Sequence, residues 1–163
     1  MAFLSWRKEY EVGVAQIDAE HRGLFALINA FHDACAWDAS GRETAKLLNR
    51  LVAYTERHFQ HEERLMSDNG YPRLDGQRKQ HSDLVASIFA INERLAVDSA
   101  RASAETVVFI KNWLVEHIVK SDMDIGDFLR RKDKRASPDP RGEASADTKE
   151  QSLPELAKQA DQS

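Results

Sequence analysis

The stretch 55-TERHFQHEERLM-66 places two histidines and two glutamates within six positions on a segment with helical spacing. Four residues turn an α-helix by about 400°, so His58 and Glu62 lie about 40° apart on one face. That face continues from Leu51 and Tyr54 and therefore points inward. An ionised glutamate in a core costs several kcal/mol unless a cation or a donor compensates. His61 falls about 90° from His58 and belongs at the helix edge.

Working outward, four segments show apolar residues at three- and four-residue steps. They run from about Asp18 to Trp37, Arg42 to Asp68, Pro72 to Val97, and Ala104 to Arg131. Asp18 suits the first N-cap. In "DNGYP", Asn69 or Gly70 suits a left-handed C-terminal cap and Pro72 the start of the next helix. Long helices joined by short turns predict an all-α, antiparallel up-down-up-down four-helix bundle. An ordered N-terminal arm, rich in Phe3, Trp6, Tyr10 and Val12, should pack across it. The bundle domain is expected over residues 1–131. From Lys132 to Ser163 the sequence holds three of the four prolines, no aromatic residue, and six basic against seven acidic residues. This stretch, including "LPELAKQ", is expected to be a disordered charged tail.

Bulk properties narrow the function. Charged residues make up 31% and the net charge is −4, with no basic stripe, so nucleic acid is not an expected partner. No apolar run approaches the ~18–20 residues of a membrane span. One cysteine, Cys35, makes no internal disulfide and reads as a small core residue. These features predict a cytoplasmic protein.

The other histidines give the motif its meaning. His21, His32, His81 and His117 complete the six, and every helical segment carries at least one. His32 has no inward carboxylate and reads as a surface residue. In "WLVEHIVKSDMD", His117 and Asp122 are five apart and would diverge by about 140° on a straight α-helix. A π-turn realigns them, so an irregularity is predicted between Leu114 and Asp122. Together His21, His58, His81 and His117 offer imidazole nitrogen, and Glu62 and Asp122 offer carboxylates able to bridge. Imidazole suits iron, copper, nickel and zinc, and carboxylates add a preference for harder ions. Six donors exceed the need of one tetrahedral zinc, and two carboxylates from different helices could clamp two iron ions.

The stretches "WRKEYEVGVAQIDAEH", "HFQHEERLM", "GYPRLDGQRKQH" and "HIVKSD" together resemble the bacterial hemerythrins, non-haem di-iron proteins that bind O2. The resemblance covers about residues 6–130. It implies that one iron takes His21 and His58 and the other His81 and His117, with Glu62, Asp122 and an oxo or hydroxo group bridging them. It also implies a further histidine four residues before His81. This chain has Gln77 there, a far weaker ligand that coordinates iron, holds a water, or leaves the second iron weakly bound. In such proteins O2 binds the iron with two histidines. Leu24, Ile28, Leu114 and Ile118 would form a dry pocket around that position, and they would also serve as core. Trp6 and Trp113 read as packing residues.

The expected function is reversible O2 binding for storage, transport or delivery, with an oxygen-using enzyme as the expected protein partner. The protein is read as an oxygen binder more than as an enzyme. The alternatives are an O2 or redox sensor, a peroxide-reducing di-iron site, and a bundle whose metal site has decayed. A ferritin-like oxidase needs Glu three residues before His on two helices. Arg78 and Leu114 occupy those places, which excludes it.

Overall fold

A computed structural model describes residues 2–38, 40–95 and 99–137. After a single 3-10 turn at Lys8–Tyr10, the helices are α1 (Ala15–Trp37), α2 (Arg42–Asn69), α3 (Leu74–Leu95), α4 (Ser99–His117) and α5 (Met123–Ala136). A π-helical turn, Ile118–Asp122, joins α4 to α5, so these two and the turn form one long fourth rod. The irregularity lies where the five-residue step from His117 to Asp122 demands it. The packed pairs are α1–α2, α2–α3, α3–α4 and α4–α1, the closed ring of an up-down-up-down bundle.

The helix ends differ in detail from the sequence reading. α1 begins at Ala15, three residues before Asp18, with Val14 as N-cap. Asp18 instead accepts from the amides of Val12 (2.7 Å) and Gly13 (3.1 Å), so its carboxylate ties the arm to the helix. Gly70 is the left-handed cap of α2 (φ 68°), a conformation that costs glycine nothing. Pro72 lies in the turn before α3, which begins at Leu74. α4 begins at Ser99, before the expected Ala104. The fourth rod continues past the expected boundary at Arg131 to Ala136, because "RRKDKRA" carries good helix formers. The rest of the expected tail, from Pro138, lies outside the described residues.

The main core unites Leu24, Phe25, Ile28 and Phe31 of α1 with Leu48, Leu51 and Phe59 of α2. Leu84 and Ile88 of α3 join them, with Val107, Ile110 and Leu114 of α4 and Ile118 of the π-turn. Cys35 packs against this cluster, half-buried. A smaller cluster, Met66, Tyr71 and Ile125, lies further along. On α2, His58 and Glu62 fall between Leu51 and Met66; on the fourth rod, His117 and Asp122 fall between Leu114 and Ile125. A polar layer thus sits between two apolar ones.

The arm closes one side. Leu4 and Asn29 exchange two hydrogen bonds of 2.8 Å. Arg130 donates to the Val12 carbonyl (2.7 Å), and Gly126 lies against that same carbonyl with no room for a Cβ. An alanine there gains about 1 kcal/mol of helix propensity. It also forces α5 off the arm's backbone, and overpacking of this kind costs typically ~1–3 kcal/mol. Because the obstacle is backbone, the clash should win. Gly126→Ala is expected to lower the thermal midpoint by several degrees, read by far-ultraviolet circular dichroism.

Candidate metal centre

All four rods send donors to one buried place. α1 supplies His21, α2 supplies His58 and Glu62, α3 supplies His81, α4 supplies His117, and the π-turn supplies Asp122. None of these six is more than 5% exposed. Two groups of donor atoms result: His21, His58, Glu62 and Asp122 in one, and Glu62, His81 and His117 in the other. Glu62 Oε1 lies 3.3 Å from His58 Nε2 and 3.6 Å from His21 Nε2, while its Oε2 lies 3.4 Å from His81 Nε2. Asp122 Oδ2 lies 3.3 Å from His21 Nε2, and its Oδ1 lies 3.1 Å from His117 Nε2. Each carboxylate therefore turns one oxygen to each half.

These atoms are poorly served by the protein itself. Both oxygens of Glu62 and of Asp122, both ring nitrogens of His21, His58 Nε2 and Gln77 Oε1 are buried with no hydrogen-bond partner among the described residues. Buried polar atoms are almost always satisfied, so a cluster of unpartnered donors this close together is a set able to hold cations. Nitrogen and oxygen donors in this mixture fit iron.

The electrostatics point the same way. Burial alone would lower the pKa of His21, but its contacts with Asp122 and Glu62 outweigh that and raise it to about 9. His81 is likewise raised, burial being overcome chiefly by its contact with Glu62. Burial pushes Glu62 up, yet the surrounding imidazoles hold it well below the usual carboxylate range. The cluster holds positive charge at its centre whether protons or metal ions supply it.

A second ring of residues, invisible as such in the sequence, orients the imidazoles. His58 Nδ1 donates to Glu20 Oε2 (2.9 Å), His81 Nδ1 to Glu63 Oε1 (2.9 Å), and His117 Nδ1 to Gln80 Oε1 (3.1 Å). Each acceptor is the sequence neighbour of a centre residue on its own helix, and each serves an imidazole on the next helix round the bundle. With Nδ1 committed outward, Nε2 keeps its lone pair aimed inward. Glu20 also accepts from His61 Nδ1 (2.6 Å), which places His61 at the helix edge as the spacing implied. Burial raises Glu20, but the bonds from His58 and His61 dominate and hold it at about 2. Glu20→Gln keeps the shape and removes the charge behind His58. It is expected to weaken metal affinity by about 10–100-fold, measured by competition with a chelator.

Aromatic rings pack on the imidazoles of the second half. Phe59 stacks on His81 (centroids 3.7 Å apart) and Trp113 stacks on His117 (4.3 Å). Trp6 packs edge-on to Tyr10 and Phe25, so it serves as packing in the arm. His32 stacks on Phe3 away from the centre. Leu24, Ile28, Leu114 and Ile118 are all buried in the main core. Gln77 is buried too, one turn before His81.

Residues 12–129 match the family model described as the hemerythrin HHE cation binding domain. The chain belongs to this hemerythrin family. Two relatives illustrate the likeness. A bacteriohemerythrin of Methylococcus capsulatus is 30% identical over 130 residues, which are 79% of this chain and 98% of that protein. A myohemerythrin of Theromyzon tessulatum is 33% identical over 117 residues, covering 72% and 86%. A crystal structure of wild-type hemerythrin superposes with a TM-score of 0.72 at 29% identity, covering 78% of this chain and 98% of the other. The hemerythrin fold implies a di-iron centre, and the donor cluster described above is the place in this chain that suits one. No described helix is long and apolar enough to cross a membrane.

Proposed function

We propose that this hemerythrin-family chain holds two iron ions and binds O2 reversibly, for storage, transport or delivery to an oxygen-using enzyme. The observation that carries the proposal is the set of orphaned donor atoms of His21, His58, Glu62 and Asp122, buried face to face between two apolar layers. His21 and His58 would hold one ion, His81 and His117 the other, with Glu62 and Asp122 shared. Such an iron pair, when bound, supplies the electrons and the open coordination position that O2 uptake requires.

The remaining work belongs to the protein. Glu20, Glu63 and Gln80 fix the rings, so the donor geometry exists before any ion arrives. Leu24, Ile28, Leu114 and Ile118, all buried in the main core, would keep water from the open position, which denies protons to the ligand and favours its release unchanged. Phe59 and Trp113 lock the other pair. The single cysteine fits a cytoplasmic setting.

The test is optical. The iron-loaded, reduced protein should gain an oxygen-dependent absorption band in air and lose it under argon over repeated cycles, with iron content constant. A spectrum indifferent to O2 contradicts the proposal.

A further inference from the structure

The two halves of the centre are not equal. One draws on His21, His58, Glu62 and Asp122; the other gathers Glu62, His81 and His117. On α3, one turn before His81 and on the same helix face, stands Gln77, 3% exposed and with its Oε1 unpartnered among the described residues. An amide oxygen is a neutral, weak donor to a metal ion, and it yields its place more readily than an imidazole.

Gln77 is also the inner wall of a pocket. This pocket, of about 220 Å³, lies between α3 and the π-turn and is lined by Tyr71, Arg73, Gly76, Gln77, Gln80, Lys120 and Ser121. Its wall is continuous with the centre: Gln80 accepts from His117 Nδ1, and Ser121, which precedes Asp122, also donates to Gln80 (3.1 Å). Its mouth is lined with donors. Arg73 and Lys120 are largely exposed cations that can swing from their partners Asp124 and Glu116. The volume is below the ~300 Å³ at which pockets for drug-sized ligands begin, so the pocket suits a small ligand.

We propose that the Gln77 pocket is a second ligand site, through which a small anion of a few atoms reaches the His81–His117 half of the centre. The inference rests on the di-iron reading above and adds a position to it. Cationic side chains at the mouth attract the anion, the hydroxyl and amide groups of the wall solvate it, and Gln77 gives way to it. The open position of the His21–His58 half, part of the di-iron reading above, would take its own ligand separately.

The probe is azide, titrated into the oxidised, iron-loaded full chain and followed by calorimetry, with iron counted on the same sample. The expected stoichiometry is two azides per iron pair. In Gln77→His, an imidazole takes the place, and the expected stoichiometry is one. Gly76 lines the pocket and a Cβ there meets nothing within 4 Å, so the leucine of Gly76→Leu has room to narrow the pocket; one azide is again expected. Because Gly76 offers no donor, this variant decides the matter if Gln77→His does not fold. One azide per iron pair in the unaltered protein, or two in both variants, overturns the inference while the di-iron reading stands. A chain that binds no iron overturns both.

Discussion

Glu62→Ala empties both halves of the centre. Like Asp122, Glu62 spans both halves, and it faces three of the four imidazoles: Oε1 faces His21 and His58, and Oε2 faces His81. Its removal takes away one of the two buried negative charges that offset two cations. The imidazoles that remain are neutral donors, and Asp122 alone cannot balance the charge in so dry a place. Replacing a residue that merely orients a ligand already costs about 10–100-fold in metal affinity. Losing a ligand common to both ions should exceed the upper end of that range. Iron retained after desalting should fall from two per chain to near none, while circular dichroism still reports a helical bundle. Retention of a full iron pair would mean that Glu62 is a structural carboxylate.

Stripping the metal makes stability depend on pH. Without ions, protons compensate the carboxylates. The pKa of His21 stands at about 9 in the folded chain against 6.5 when unfolded. A raised pKa stabilises fully below pH 6.5, and the contribution is lost as pH rises through about 9. At 1.36 kcal/mol per pKa unit this is on the order of 3 kcal/mol. For a chain of this size that is roughly 6–12 °C in the thermal midpoint. His81, also raised, acts in the same direction. Metal binding requires deprotonated imidazole, so its contribution grows across the window in which the proton's contribution fades. The metal-free midpoint should therefore fall between pH 6.5 and 9 while the iron-loaded midpoint changes much less. Parallel curves for the two forms would contradict this.

The parts of the fold that follow local rules were legible in the sequence. Apolar spacing located the four rods, and Gly70 marked the end of α2. The five-residue step from His117 to Asp122 located the π-turn, because no straight helix can aim both inward. Centre residues were legible because inward histidines and acids are costly and need a reason. What escaped was relational. Glu20 and His58 are 38 residues apart, and Glu20, one step from His21, reads as the solvated edge of its helix. The same holds for Glu63 beside Glu62 and Gln80 beside His81. The available signal was a polar residue adjacent to each centre residue, and only the packing angle between helices shows which ring it serves. Asp18 was misplaced for a similar reason: a carboxylate near a helix start looks like a cap, but the arm's amides reach it first.

Anomalous scattering at the iron edge, from crystals of the iron-loaded protein, tests the account most directly. Two peaks of similar height are predicted, one beside His21 and His58 and one beside His81 and His117, with Glu62 and Asp122 between them. A single peak, or none at these residues in crystals that contain iron, would contradict it.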